Sequence, residues 1–146
     1  MFAAIIGAFL GLIPSFYFLI KDRPIIKVAI SYAYIPSISN LIQKGFNIRI
    51  SNSRRRQITI DGVFLEFKNK ETLIFPTPNL FVGGSSGLPK TLFKNSSHSV
   101  TILTGDVAFA ILRKRDYPVA AYYRDVIGKV YRCKIPNNFW ENVFKE

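Results

Sequence analysis

The chain opens on an unbroken apolar run and then changes to a two-residue alternation of apolar and polar positions. From Phe2 to Ile20 no side chain is charged, and Lys21 is the first charged side chain. At ~1.5 Å of rise per residue the run spans about 28 Å, one hydrocarbon core. It predicts a transmembrane helix over 1–20. No Lys or Arg precedes it, and Phe16, Tyr17, Phe18, Leu19 and Ile20 make a poor cleavage site, so the reading is an uncleaved anchor and not a signal peptide. Residues 21–25 form a short linker in which Pro24 blocks helix continuation.

From residue 26 to 146 the pattern is that of one β-rich domain. Val28, Ile30, Tyr32 and Tyr34 alternate with Lys27, Ala29, Ser31 and Ala33, which predicts a strand. Residues 35–44 contain Pro36 and several polar side chains and read as a loop, with a helical turn near Leu41. Phe46, Ile48 and Ile50 point inward from the next strand. Ile58 and Ile60 begin another, Asp61-Gly62 marks a bulge or turn, and Val63, Leu65 and Phe67 continue it. Lys68 to Glu71 is a turn, and Thr72 to Phe75 a short strand. The Gly- and Ser-rich stretch 79–89 is a loop, followed by an edge strand near Leu88 to Phe93, since Pro89 is incompatible with a central one.

Ser97 to Thr104 is a strand with Val100 and Ile102 on one face. Asp106 is placed to cap a short helix over Val107 to Leu112. Val119 to Tyr123 and Lys129 to Lys134 are strands joined by the turn Asp125-Val-Ile-Gly128. Pro136-Asn-Asn138 opens a terminal helix carrying Phe139, Trp140, Val143 and Phe144. Short strands with turn signals at this spacing predict a mainly β fold: one immunoglobulin-like β-sandwich with one or two short helices, after the N-terminal anchor. The Cys pair and central Trp of antibody domains are lacking, so the likeness is one of architecture.

Charge adds a partner class. Twenty Lys and Arg against nine Asp and Glu leave a net charge of +11, which favours anionic partners. Lys21, Arg23 and Lys27 follow the apolar run directly, so the positive-inside rule places the N-terminus outside and the domain in the cytoplasm of a cell inner membrane; the alternative is a domain on the outer side. Lys21, Arg23, Lys27, Arg54, Arg55 and Arg56 are candidate contacts to anionic lipid headgroups. Ala3, Gly7, Gly11 and Ser15 form a small-residue stripe at four-residue spacing, a candidate surface for self-association or for pairing with another membrane helix. Phe139, Trp140 and Phe144 are candidate contacts to a protein partner, with capping of the core as their other use.

Reactive chemistry is thinly represented. His98 is the single histidine, so a multi-histidine metal site is excluded, and no Gly-x-Ser-x-Gly elbow accompanies it. Cys133, the single cysteine, cannot form an intrachain disulfide, which suits a reducing compartment. Its neighbours Arg132 and Lys134 are of the kind that lower a thiol pKa, and strand alternation equally allows it to point inward. Gly83 to Thr91 superficially resembles a phosphate loop, but Pro89 breaks the required strand-to-helix geometry. The acidic residues Asp61, Asp106, Asp116 and Asp125 fall at expected turns or caps. No catalytic, metal or cofactor-binding residue is expected.

Three segments carry a resemblance. Asn47 to Val63, Gly87-Leu-Pro-Lys90 and Arg124 to Arg132 resemble a pattern in small uncharacterised bacterial membrane-anchored proteins. The resemblance implies one N-terminal helix ahead of a basic immunoglobulin-like domain, and no activity. The function expected from the sequence is a non-enzymatic, membrane-tethered protein-interaction module. The alternative is a peripheral anionic-lipid-binding domain; an enzyme or a nucleic-acid binder is the weaker reading.

Overall fold

A computed structural model of the chain describes residues 25–36, 42–53, 56–74 and 87–145. Among these no helix is long and apolar enough to cross a membrane. The expected anchor over 1–20, with Ala3, Gly7, Gly11 and Ser15, lies outside the described residues, as do Lys21, Arg23, Arg54 and Arg55.

The described chain is mainly β, in two antiparallel sheets. The first contains β1 (Ile26–Pro36), β2 (Ile42–Asn52) and β6 (Ser96–Leu103), in the order β1-β2-β6. The second is built around β3 (Ile58–Glu66) and β7 (Ala120–Asp125), with β8 (Val130–Lys134) beyond β7. On the other edge of β3, β4 (Thr72–Ile74) pairs with its last residues and β5 (Lys90–Leu92) with its first. Two short helices complete the fold: α1 (Thr104–Lys114) between β6 and β7, and α2 (Phe139–Phe144) at the C-terminal side.

Alternation builds the core where it was legible. Phe46, Ile48 and Ile50 from β2, Ile60, Val63 and Leu65 from β3, and Val100 from β6 are fully buried in one cluster shared by both sheets. Each such side chain contributes about 1.5–3 kcal/mol of burial. The phase change along β3 is real: its pairing with β7 shifts register between Ile60 and Gly62, so the inward set moves from Ile58 and Ile60 to Val63 and Leu65. A Cβ on Gly62 would lie 2.5 Å from the Phe64 ring, which explains glycine there.

Two expectations change. The loop expected over 35–44 is shorter, because β1 runs to Pro36 and β2 begins at Ile42, paired opposite each other. Along β1, Val28, Ile30 and Tyr32 pair with Ile50, Ile48 and Phe46 and share their core-facing side, while Tyr34 is 72% exposed and Ile35 is buried. Ile35 packs over Gly45, where no Cβ stands in the way, and Tyr32, at the edge of the core, stacks on the buried Phe139 at 4.7 Å. Asp106 does not cap α1. The helix starts two residues earlier at Thr104, whose hydroxyl donates to the Lys44 carbonyl at 2.7 Å, and Asp106 sits in the first turn, where its charge favours the helix dipole.

Candidate functional site

Register places many chain segments at one end of the domain. Ile26 at the start of β1 pairs with Asn52 at the end of β2, and Asn52 pairs with Ser96 at the start of β6. The Ser53 amide donates to the Ile25 carbonyl at 3.0 Å, and the Asn95 amide to the Asn52 carbonyl at 2.8 Å. Asn52 is fully buried, and its amide nitrogen donates to the carbonyls of Arg56 at 2.7 Å and Leu92 at 3.1 Å. It therefore ties β2 to the start of β3 and the end of β5. Ile60 pairs with Asp125, and the Val126 amide donates to the Thr59 carbonyl at 2.9 Å, which brings the β7–β8 turn to the same end.

Asp125 organises that turn. It is 3% exposed; one carboxylate oxygen accepts the amides of Ile127 at 3.1 Å and Lys129 at 2.8 Å, and the other accepts the Tyr131 hydroxyl at 3.0 Å. Gly128 at φ +86° closes the turn in the left-handed region. Burial first, then the bond to Asp125 and its charge, push the Tyr131 pKa up to about 12, against a smaller lowering by Arg56. With the turn's backbone satisfied from beneath, its two central side chains project outward: Val126 is 57% and Ile127 83% exposed. Between this turn and the first residues of β3 lies a groove of ≈ 550 Å³, lined by Arg56, Gln57, Thr59, Val126, Ile127 and Lys129 among others.

Around these tips the surface is basic. Lys27, Arg56, Lys94 and Lys129 are exposed. Of the two carboxylates nearby among the described residues, Asp125 is consumed by its turn and Asp61 is paired with Arg124 at 3.1 Å. Ile25 and Phe93 add further exposed apolar surface. The opposite end holds Glu66, Glu71, Asp106, Asp116 and Glu141, and there Glu66 pairs with Lys70 and Arg132, and Glu71 with Lys114. That end also exposes Phe109 and Leu112 on α1, at 73% and 75%.

Of the lipid-contact candidates, Lys27 and Arg56 are thus brought to the same end. The partner-contact candidates fare differently. Phe139 and Trp140 are each 3% exposed and belong to the core: the Trp140 ring meets Phe46 edge-on at 5.3 Å, and its indole nitrogen donates to the Pro118 carbonyl at 2.7 Å. Core capping, and not an open contact surface, accounts for both; Phe144 is half-buried against the same cluster. The terminal helix buries them because its short length leaves them a single apolar face to hide.

The reactive candidates are also absorbed by structure. His98 is buried, with its Nδ1 3.5 Å from the Tyr123 hydroxyl, which itself donates to the Ile48 carbonyl at 2.8 Å. Burial raises the Tyr123 pKa. Asp106 follows the far end of β6, about 20 Å from His98 along an extended strand, so the two do not converge. Burial pushes the Cys133 thiol pKa up, only partly opposed by a backbone bond from Ala121, so the flanking Arg132 and Lys134 do not activate it. Lys90 and Thr91 open a strand and not a helix, which removes the phosphate-loop geometry. Among the described residues no group of three or more His, Cys, Asp or Glu is placed to hold a metal ion.

Val126, Ile127 and Phe93 were missed as surface features in the sequence. The signal was present at the turn: Val-Ile is a poor fit to positions where turn chemistry favours Gly, Asn, Asp or Ser. Set against known protein families and curated proteins, the chain matches none.

Proposed function

We propose that the chain is a single-pass, membrane-tethered interaction module that works by binding and not by catalysis, with residues 1–20 as its transmembrane helix. Its domain reads as immunoglobulin-like: β1-β2-β6 facing β4-β3-β7-β8 corresponds to strands A-B-E facing C′-C-F-G. The flanking charges Lys21, Arg23 and Lys27 support a cytoplasmic domain. The observation that carries the binding reading is the exposed pair Phe109 and Leu112, one turn apart on α1. Two large apolar side chains this open, at the end of the domain remote from the apolar run, suit a protein partner held off the membrane.

The tether is tested by alkaline carbonate extraction: the full chain stays with membranes and a chain lacking residues 2–20 is released. Cleavage of a C-terminal tag by protease added to intact spheroplasts would reverse the orientation. For the partner surface, a photocrosslinker at position 109 yields a discrete adduct in membranes, and Leu112→Asp abolishes it without lowering the melting temperature. Identical adducts from both chains would remove α1 from the interface.

A further inference from the structure

We propose that the end of the domain where β1 begins docks on an anionic bilayer, with Val126 and Ile127 entering the headgroup region and Lys27, Arg56, Lys94 and Lys129 facing lipid phosphates. This rests on the tether reading above and adds a lipid-contact site to it. Three independent observations lead to it.

The first is reach. Five residue steps separate Ile20 from Ile25, and a chain covers at most about 3.6 Å per step, so the start of β1 lies within about 18 Å of the end of the apolar run. The interfacial layer itself occupies about 5–8 Å of that. Antiparallel register then commits the β2–β3 connection, the β5–β6 turn and the β7–β8 turn to this same end. Strand β2, eleven residues at about 3.4 Å each, carries its other end and α1 away from that level.

The second is the chemistry of the tips. Ile127 is the most exposed large apolar side chain among the described residues, at 83%; Val126 stands open next to it at 57%, and Phe93, across β3 at the same end, at 60%. In water this arrangement is unfavourable; at a headgroup boundary it gains burial. The turn is also stiff enough to insert as a unit, because Asp125 holds two of its amides from below.

The third is charge. Among the described residues, the exposed basic side chains at this end face no exposed, unpaired carboxylate, whereas the cations of the opposite end, Lys68, Lys70, Arg113 and Lys114 among them, share it with Glu66, Glu71, Asp106, Asp116 and Glu141. A zwitterionic surface would not require that separation, and an anionic one is complementary to it. The contact need not be strong by itself. A tether raises the local concentration of the second site to roughly millimolar, so a weak tip contact is still well occupied.

The test uses the full chain with Cys133→Ser and a single environment-sensitive fluorophore at Val126→Cys, or at Asn69→Cys on the opposite end. It is reconstituted into phosphatidylcholine vesicles with or without phosphatidylglycerol; in either insertion direction the domain meets a leaflet of the same composition. With phosphatidylglycerol present, the probe at 126 shifts to the blue and is quenched by spin-labelled headgroups, while the probe at 69 stays aqueous. Lys129→Gln lowers the docked-to-free ratio about fivefold, and Ile127→Asp lowers it further. A probe at 126 that stays aqueous while the chain floats with anionic vesicles overturns the docking and leaves the tether standing. An equal shift in neutral vesicles, or a shift in detergent that grows with protein concentration and marks self-association, also overturns it. Failure to float with either vesicle removes the tether reading and the docking together.

Discussion

Asn52, Glu66, His98 and Asp125 are the polar side chains buried among the described residues. Each is held by partners that explain its burial cost: Asn52 by the carbonyls of Arg56, four residues on, and of Leu92 in β5, Glu66 by two cations, His98 beside Tyr123, and Asp125 by two amides and a phenol. The Asp125–Tyr131 pair makes stability depend on pH. Tyr131 has a folded pKa of about 12 against an unfolded value near 10, so the folded state favours the neutral phenol. Its contribution is complete below about pH 10 and is lost as pH rises through about 12. Burial of Tyr123 and Cys133 acts in the same direction. Urea midpoints should fall across that alkaline range, and Tyr131→Phe should make the fall shallower. An unchanged slope in the variant would mean that other groups carry the alkaline loss.

Elements differ in how tightly their backbones are committed. The β3 bulge requires Gly62, because the added Cβ of alanine meets Phe64, whose ring is stacked on Tyr122 at 4.8 Å and lies under Arg124. Gly62→Ala should cost about 1–3 kcal/mol in denaturant titrations. Gly105, in the first turn of α1, meets nothing within 4 Å, so Gly105→Ala should stabilise by about 0.4–1 kcal/mol. Opposite signs at two glycines separate a packing requirement from a backbone cost. The bulge was legible beforehand because the inward set along β3 changes phase at Asp61-Gly62. The start of α1 was not, because Thr104 is held by the Lys44 carbonyl, sixty positions away in the chain.

At the scale of the molecule, α2 closes the core. Phe139 stacks on Tyr32 of β1, Trp140 packs on Phe46 of β2, and Trp140 bonds to the segment before β7, so one short helix bridges both sheets. Trp140→Ala should cost about 3–5 kcal/mol, a large part of a total that is commonly 5–15 kcal/mol. Loss of cooperative thermal unfolding would register it; a melting curve like that of the unaltered chain would return Trp140 to the surface. The placing of the acids is also a property of the whole: among the described residues, basic tips without an unpaired carboxylate at one end and mixed acids and cations at the other follow from which loops antiparallel pairing brings together.

By itself the sequence determined the β-rich class, the inward faces of β2, β3 and β6, the bulge and the two hairpin turns. Those depend on period-two alternation and on glycine or aspartate at turns, and both act between near neighbours in the chain. It also carried the apolar run and the basic excess, since these are matters of composition. Only the tertiary structure decided that Phe139 and Trp140 are core, that Tyr34 is not, that Asn52 joins three segments, and that Ile127 stands at the end where β1 begins. Each of those depends on contacts between residues far apart in sequence, and no local pattern encodes which distant surface will cover a side chain.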